Sequence, residues 1–175
     1  MPGPRHSSFE YSPLIPDQRS IRLLDLSGRI TRNNTAIIGS LESFDLSSCP
    51  PYRALSYTWG SPFPKDGEPS EIGNWCTPSQ VLNCNGTLVY IRQNLYDALQ
   101  SLIQRDMAGI YWIDSICINQ QDDQERGAQV SMMGDIFAGA VEVICWLGRG
   151  DAHCDNFLKL HRRLPPLIRE HGRTS

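Results

Sequence analysis

Between residues 93 and 147 short apolar runs alternate with segments of helical period, and this alternation constrains the chain more than any other feature. Leu95, Ala98, Leu99, Leu102 and Ile103 recur at spacings of three and four before the run Ile110-Tyr-Trp-Ile113. Val130, Met133, Ile136, Phe137 and Ala140 repeat the helical spacing before Val141 to Leu147 returns as an apolar run. The first spacing marks one face of a helix; a short unbroken run rich in β-branched and aromatic side chains marks a buried strand. Strands that return to one sheet through a helix run parallel, so the pattern predicts an α/β fold with a mainly parallel sheet and covering helices. Asp151 would cap a last helix through Phe157, Leu158, Leu160 and Leu164, stopped at Pro165-Pro166.

Upstream, Ile21 to Leu26 reads as a strand closed by Ser27-Gly28, and Thr35 to Leu46 as a second strand able to pair with it. Tyr52 to Trp59 is an aromatic and β-branched run expected at the centre of the sheet, beside 110–113 and 141–147. Asn85-Gly86, between Val81 and Ile91, supplies the positive φ values of a type I′ hairpin. These early hairpins are expected as antiparallel edges. Asn94 is expected to cap the first helix with Asp97 in its first turn, and Asp122 with Glu125 has capping-box spacing before the second.

The 175 residues suit one domain, at roughly 100 to 200 residues each. We expect an irregular arm over 1–20, one domain over 21–165 with a Pro-rich insertion at 60–80, and a polar tail over 166–175. A hydrophobic fraction of 40% and a charged fraction of 20% exclude a disordered or membrane-spanning chain. The net charge of −3 argues against nucleic acid as a partner. The six cysteines (49, 76, 84, 117, 145, 154) contain no Cys-x-x-Cys pair, so no metal site is expected. Cys117 and Cys145 sit inside apolar runs and are expected as reduced core residues. The N-terminal stretch lacks the apolar segment of a signal peptide or membrane anchor, which leads us to expect a cytoplasmic protein.

In open α/β sheets ligands sit beyond the carboxyl ends of the strands. Three segments qualify: Ser56-Tyr57-Thr58-Trp59-Gly60, Asp114 to Asp122, and Gly148-Arg149-Gly150-Asp151. The last, a lone Gly-x-Gly, reads first as a turn. In the second, Ile116 and Ile118 alternate with Asp114, Asn119 and Gln120, so the loop is half buried and its polar groups need partners. Glu125, Arg126 and Gln129 could supply them in a network that pins the loop. Alternatively the segment lines a pocket in which Asp114 is the anionic group, Arg126 meets phosphate, and Asn119 and Gln120 bind ribose or amide groups. Asp114 and Arg126 are expected within a salt-bridge or one-water distance of each other, since an acid at a strand end and a base early in the next helix can meet over the crevice.

Tyr52-Arg-Ala-Leu-Ser-Tyr-Thr-Trp-Gly60, Trp112-Ile-Asp-Ser-Ile-Cys-Ile-Asn-Gln120 with Asp122, Glu125-Arg126 and Gln129-Val130, and Val141 through Trp146-Leu147-Gly148 together resemble the fungal heterokaryon incompatibility (HET) domain family. Gly39-Ser40 departs from it, standing where a cysteine-containing strand is common. The resemblance implies an effector of nonself recognition that triggers cell death, acting by self-association or by binding an upstream sensor protein. That family is in turn similar to Toll/interleukin-1 receptor (TIR) domains, which implies a flavodoxin-like sheet and, as the alternative, cleavage of NAD with release of nicotinamide. That chemistry needs a carboxylate beside an oxocarbenium-like centre, for which Asp114, Glu125 and Asp151 are the candidates. Trp59, Gly60, Asn119, Gln120, Arg126, Gln129 and Gly148 are the implied ligand-binding residues, with no metal.

Overall fold

The computed structural model describes residues 9–15, 19–30, 36–59 and 80–148. The insertion, the helix expected from Asp151, the polar tail, and the site candidates Gly60 and Asp151 lie outside the described residues. The elements run β1 (Ser20–Ile30), β2 (Ala36–Asp45), β3 (Arg53–Tyr57), β4 (Gln80–Cys84), β5 (Thr87–Ile91), α1 (Gln93–Gln104), β6 (Gly109–Trp112), α2 (Asp114–Cys117), α3 (Asp123–Gly139) and β7 (Glu142–Trp146). All described strands join one sheet in the order β5-β4-β2-β1-β6-β3-β7.

The expected parallel trio is present, with β3 between β6 and β7. The sheet as a whole is mixed, which corrects the mainly parallel expectation. β1–β2, β1–β6 and β4–β5 run antiparallel and carry most of the paired residues, whereas β2–β4, β3–β6 and β3–β7 are parallel. The difference lies in β1 and β2, which were expected at an edge and stand in the interior. Residues 20–24 are all buried, so both faces of β1 are covered, as its near-continuous apolar run requires. α3 lies on the face carrying Ser20 and Arg22, through Gln129 and Glu125, and α1 packs against β1 and β4.

Several helix details differ from expectation. Arg92, not Asn94, is the N-cap of α1, and no side chain caps it; Asp97 lies beyond the first turn. On α3, Val130 is exposed, while Gln129 and Ile136 are buried and Met133 and Phe137 partly so. Phe137 meets the fully buried Trp112 edge-on, centroids 5.3 Å apart. Cys117 is buried as expected, but Cys145 is exposed because β7 is an edge strand.

Gly39 has a steric reason. A Cβ there would stand 2.9 Å from the Asp25 carbonyl and 3.0 Å from Leu24 Cδ1. The hairpin turn has φ of 52° at Asn85 and 79° at Gly86, as its sequence requires. Asn85 also reaches across to β2: its Nδ2 donates to the Leu41 carbonyl at 3.0 Å and its Oδ1 accepts the Leu41 N–H at 2.9 Å. Losing both bonds in Asn85→Ala should cost about 2 kcal/mol, at roughly 1 per bond, and lower the urea midpoint without changing its slope. An unchanged midpoint would show that the brace carries no stability.

Candidate functional site

The carboxyl ends of the parallel trio β6, β3 and β7 converge on one rim, completed by the start of α1. Beyond β3, Tyr57 Oη donates to Ser115 Oγ at 2.6 Å, and Trp59 Nε1 donates to Asp114 Oδ2 at 3.0 Å. Beyond β7, Trp146 Nε1 donates to Asn94 Oδ1 at 2.8 Å. Asn94 Nδ2 in turn donates to the Thr58 carbonyl at 2.7 Å. Asn94 therefore ties two strand ends together instead of capping its helix. The Arg92 guanidinium lies over the Trp59 ring, 5.4 Å from its centroid, and donates to the Trp59 carbonyl at 2.7 Å.

Asp114 opens the short turn α2, with Oδ1 accepting the Ser115 N–H at 2.7 Å. Burial pushes its carboxyl above the ordinary 3.8, while the Trp59 and Ser115 N–H groups pull the other way. The Tyr57 hydroxyl is pushed up to about 12, chiefly by burial. Both groups are partly dehydrated at the rim, where hydrogen bonds and charges interact more strongly than in water.

The remaining candidates divide into two groups. Gln120 belongs to the rim: its Nε2 donates to the Asp114 carbonyl at 3.0 Å. Of the closeness expected for Asp114 and Arg126, a direct ion pair is absent among the described residues, and Gln120 is a partner common to both. Arg126 pairs with Asp123 at 2.8 Å and donates to the Gln120 carbonyl at 3.1 Å. Its link to Asp114 among the described residues runs through Gln120, whose carbonyl accepts from Arg126 and whose Nε2 donates to the Asp114 carbonyl. Gly148 lies just after β7 with φ of 101°, in the left-handed region that favours glycine.

Glu125, Asn119 and Gln129 form the second group. Asp122 caps α3 by accepting from the Gln124 and Glu125 N–H groups, but the Glu125 side chain does not complete the box. It accepts from Arg22 Nη1 at 2.6 Å and Nη2 at 2.9 Å, and from the Asn119 N–H at 2.7 Å. Asn119 Oδ1 accepts the Gln121 N–H at 3.1 Å. Gln129 is buried, with Nε2 donating to the Ser20 carbonyl at 2.8 Å. The segment 114–122 is thus held at one end by Trp59 and at the other by a buried ion pair, the pinning arrangement the sequence allowed.

Sequence reasoning missed Arg22, Arg92, the tie made by Asn94, and the partners of Tyr57 and Trp146. Arg22 had a signal: one guanidinium inside an otherwise apolar strand must find acceptors. The others had none, since their partners come from distant parts of the chain.

Two predictions follow from this geometry. Removing one member of a buried ion pair strands its partner, so Glu125→Ala should cost about 3–5 kcal/mol. Half-exposed Arg126 should cost under about 1 when replaced by Ala; comparable losses in chemical unfolding would overturn the distinction. For Asp114, a raised folded pKa means that the fold holds the proton more tightly than the unfolded chain. Its ionisation therefore costs no stability below 3.8, a growing amount as pH rises from 3.8 to the folded pKa, and the full amount above it. Asp114→Asn should gain on the wild-type chain across that window, and a difference independent of pH would remove burial as the dominant influence.

The family profile described as "Heterokaryon incompatibility protein (HET)" matches residues 52–174, which include the rim and the pinned segment. A curated relative, "Heterokaryon incompatibility protein 6, OR allele" of Neurospora crassa, is 30% identical over 150 residues, 81% of this chain and 20% of the relative. The chain thus spans about a fifth of the length of that relative. No solved structure matches the chain. The blocks that form the rim and the loop behind it lie within the matched residues, and the chain belongs to the heterokaryon incompatibility (HET) family.

Proposed function

We propose that this chain is an effector domain of fungal heterokaryon incompatibility, a nonself-recognition module that triggers cell death by binding copies of itself or an upstream sensor. The name of its Neurospora relative, a heterokaryon incompatibility protein, supports the incompatibility part. The observation that carries the mode of action is the continuity of the rim with β7, the last strand of the sheet among the described residues. Tyr57 and Trp59 are tied to Ser115 and Asp114, and Asn94 ties Trp146 to Thr58, while β7 beside them exposes Val143, with Val141 and Leu147 exposed at its ends. An exposed edge strand with apolar side chains offers unpaired backbone groups to another chain. A rigid neighbouring rim lowers the ordering cost of such contact.

A second reading, NAD glycohydrolysis of the TIR type, is favoured by one observation: Asp114 is a half-buried carboxylate at the strand ends beside the Trp59 ring. Ionised, it would stabilise the positive charge that develops on the ribose as nicotinamide leaves. Glu125 fits this role less well, because the Arg22 guanidinium already neutralises its charge.

Inducible expression in a filamentous fungus, with growth as the readout, separates the two. On the assembly reading, Val143→Lys abolishes growth arrest and self-association with an unchanged melt, and Asp114→Asn keeps both. If Asp114→Asn instead abolishes growth arrest together with nicotinamide release from NAD by the purified chain, while Val143→Lys remains toxic, the enzymatic reading replaces it.

A further inference from the structure

Residues 9–15 are seated on the sheet by way of Arg22. The Phe9 ring meets Tyr11 edge-on at 5.0 Å, the Arg22 guanidinium lies over the Tyr11 ring at 4.9 Å, and Arg22 Nη2 donates to the Ser12 carbonyl at 2.7 Å. Between this segment and β1–β2 lies a cavity of about 290 Å³, lined by Phe9, Glu10 and Ser12 on one side and by Arg22, Glu42 and Asn85 on the other. The same guanidinium donates from Nη1 to the Cys117 carbonyl at 3.2 Å and holds Glu125, which accepts the Asn119 N–H. Arg22 is 2% exposed, and its Nε has no acceptor among the described residues. One side chain therefore joins the N-terminal arm to the segment behind the rim.

We propose that residues 9–15 act as a strap whose seating on Arg22 governs how firmly segment 114–122 is held, so that displacing the strap loosens the segment. This goes beyond the functional reading above and holds under either of its forms. With the strap seated, the guanidinium is dry, and its attraction for Glu125 and the Cys117 carbonyl is screened little. Lifting the strap removes the Ser12 acceptor and the Tyr11 ring together and admits water to the guanidinium. Water then competes for Glu125, and through it for the Asn119 N–H. Coupling of this kind is reciprocal, so weakening the Arg22–Glu125 pair must also free the strap.

The test uses the full chain. Tyr11→Leu keeps an apolar side chain and removes the ring that faces Arg22. Amide exchange at Asn119 should quicken about tenfold, within the usual range for coupled sites, while amides of the β4–β5 hairpin keep their rates. In the reverse direction, Glu125→Gln should speed chymotryptic cleavage after Phe9 by a similar factor. Tyr11→Phe, which retains the ring, should behave as wild type in both measurements. Faster cleavage after Phe9 in Tyr11→Leu with unchanged exchange at Asn119 would overturn the proposal, as would a folded Glu125→Gln chain with unchanged cleavage. Should Glu125→Gln fail to fold, Tyr11→Leu decides the matter alone, since Tyr11 is only partly buried.

Discussion

A guanidinium withdrawn from water at the middle of a sheet must be answered by acceptors from every direction, and the arrangement around Arg22 follows from that requirement. Glu125 answers from α3 with both oxygens, Cys117 from the turn after β6 and Ser12 from the arm. Each acceptor comes from a different part of the chain, so satisfying the charge fixes the helix, the turn and the arm relative to β1. A replacement of the whole set by apolar side chains could be as stable. Loss of a single member could not, because it leaves the remaining charge dry and unpaired.

With segment 114–122 fixed from behind, its front is free to meet the ends of β3 and β7. Asp114 turns toward Trp59 and Ser115 toward Tyr57. Asn94, at the start of α1, bridges Thr58 and Trp146. The rim owes its rigidity to hydrogen bonds between side chains of separate elements, each placed there because parallel strands deliver their carboxyl ends to one side of the sheet. Its electrostatics follow from burial, which raises both the Asp114 carboxyl and the Tyr57 hydroxyl.

Much of the element list was legible because its signals are local. Asn85-Gly86 specifies its turn through backbone sterics alone, and the strand-helix-strand run from 110 to 147 brings its two strands into the sheet in the same direction, on either side of β3. The candidate site was legible as a stretch of chain but not as a set of partners. Asp114 and Arg126 looked complementary in sequence, yet each is satisfied closer to hand, by Trp59 and Ser115 and by Asp123 and Gln120. Asn94 looked like a helix cap, since a free Asn side chain at such a position bonds its own backbone. Two strand ends within reach offered it other partners.

By itself, then, the sequence determined most of the strands and the two long helices, where the hairpin turns, and that the segment after Trp112 is half buried and must be pinned, though not that this segment opens with the short helix α2. These follow from steric preference and apolar periodicity, which act over a few residues. Only the tertiary structure decided that β1 stands inside the sheet rather than at its edge, that β7 comes last among the described strands, and that Glu125 belongs to Arg22 and Asp114 to Trp59. Register and partner choice are set by competition among all the acceptors and apolar faces that the folded chain brings within reach, and no local stretch of sequence contains that competition.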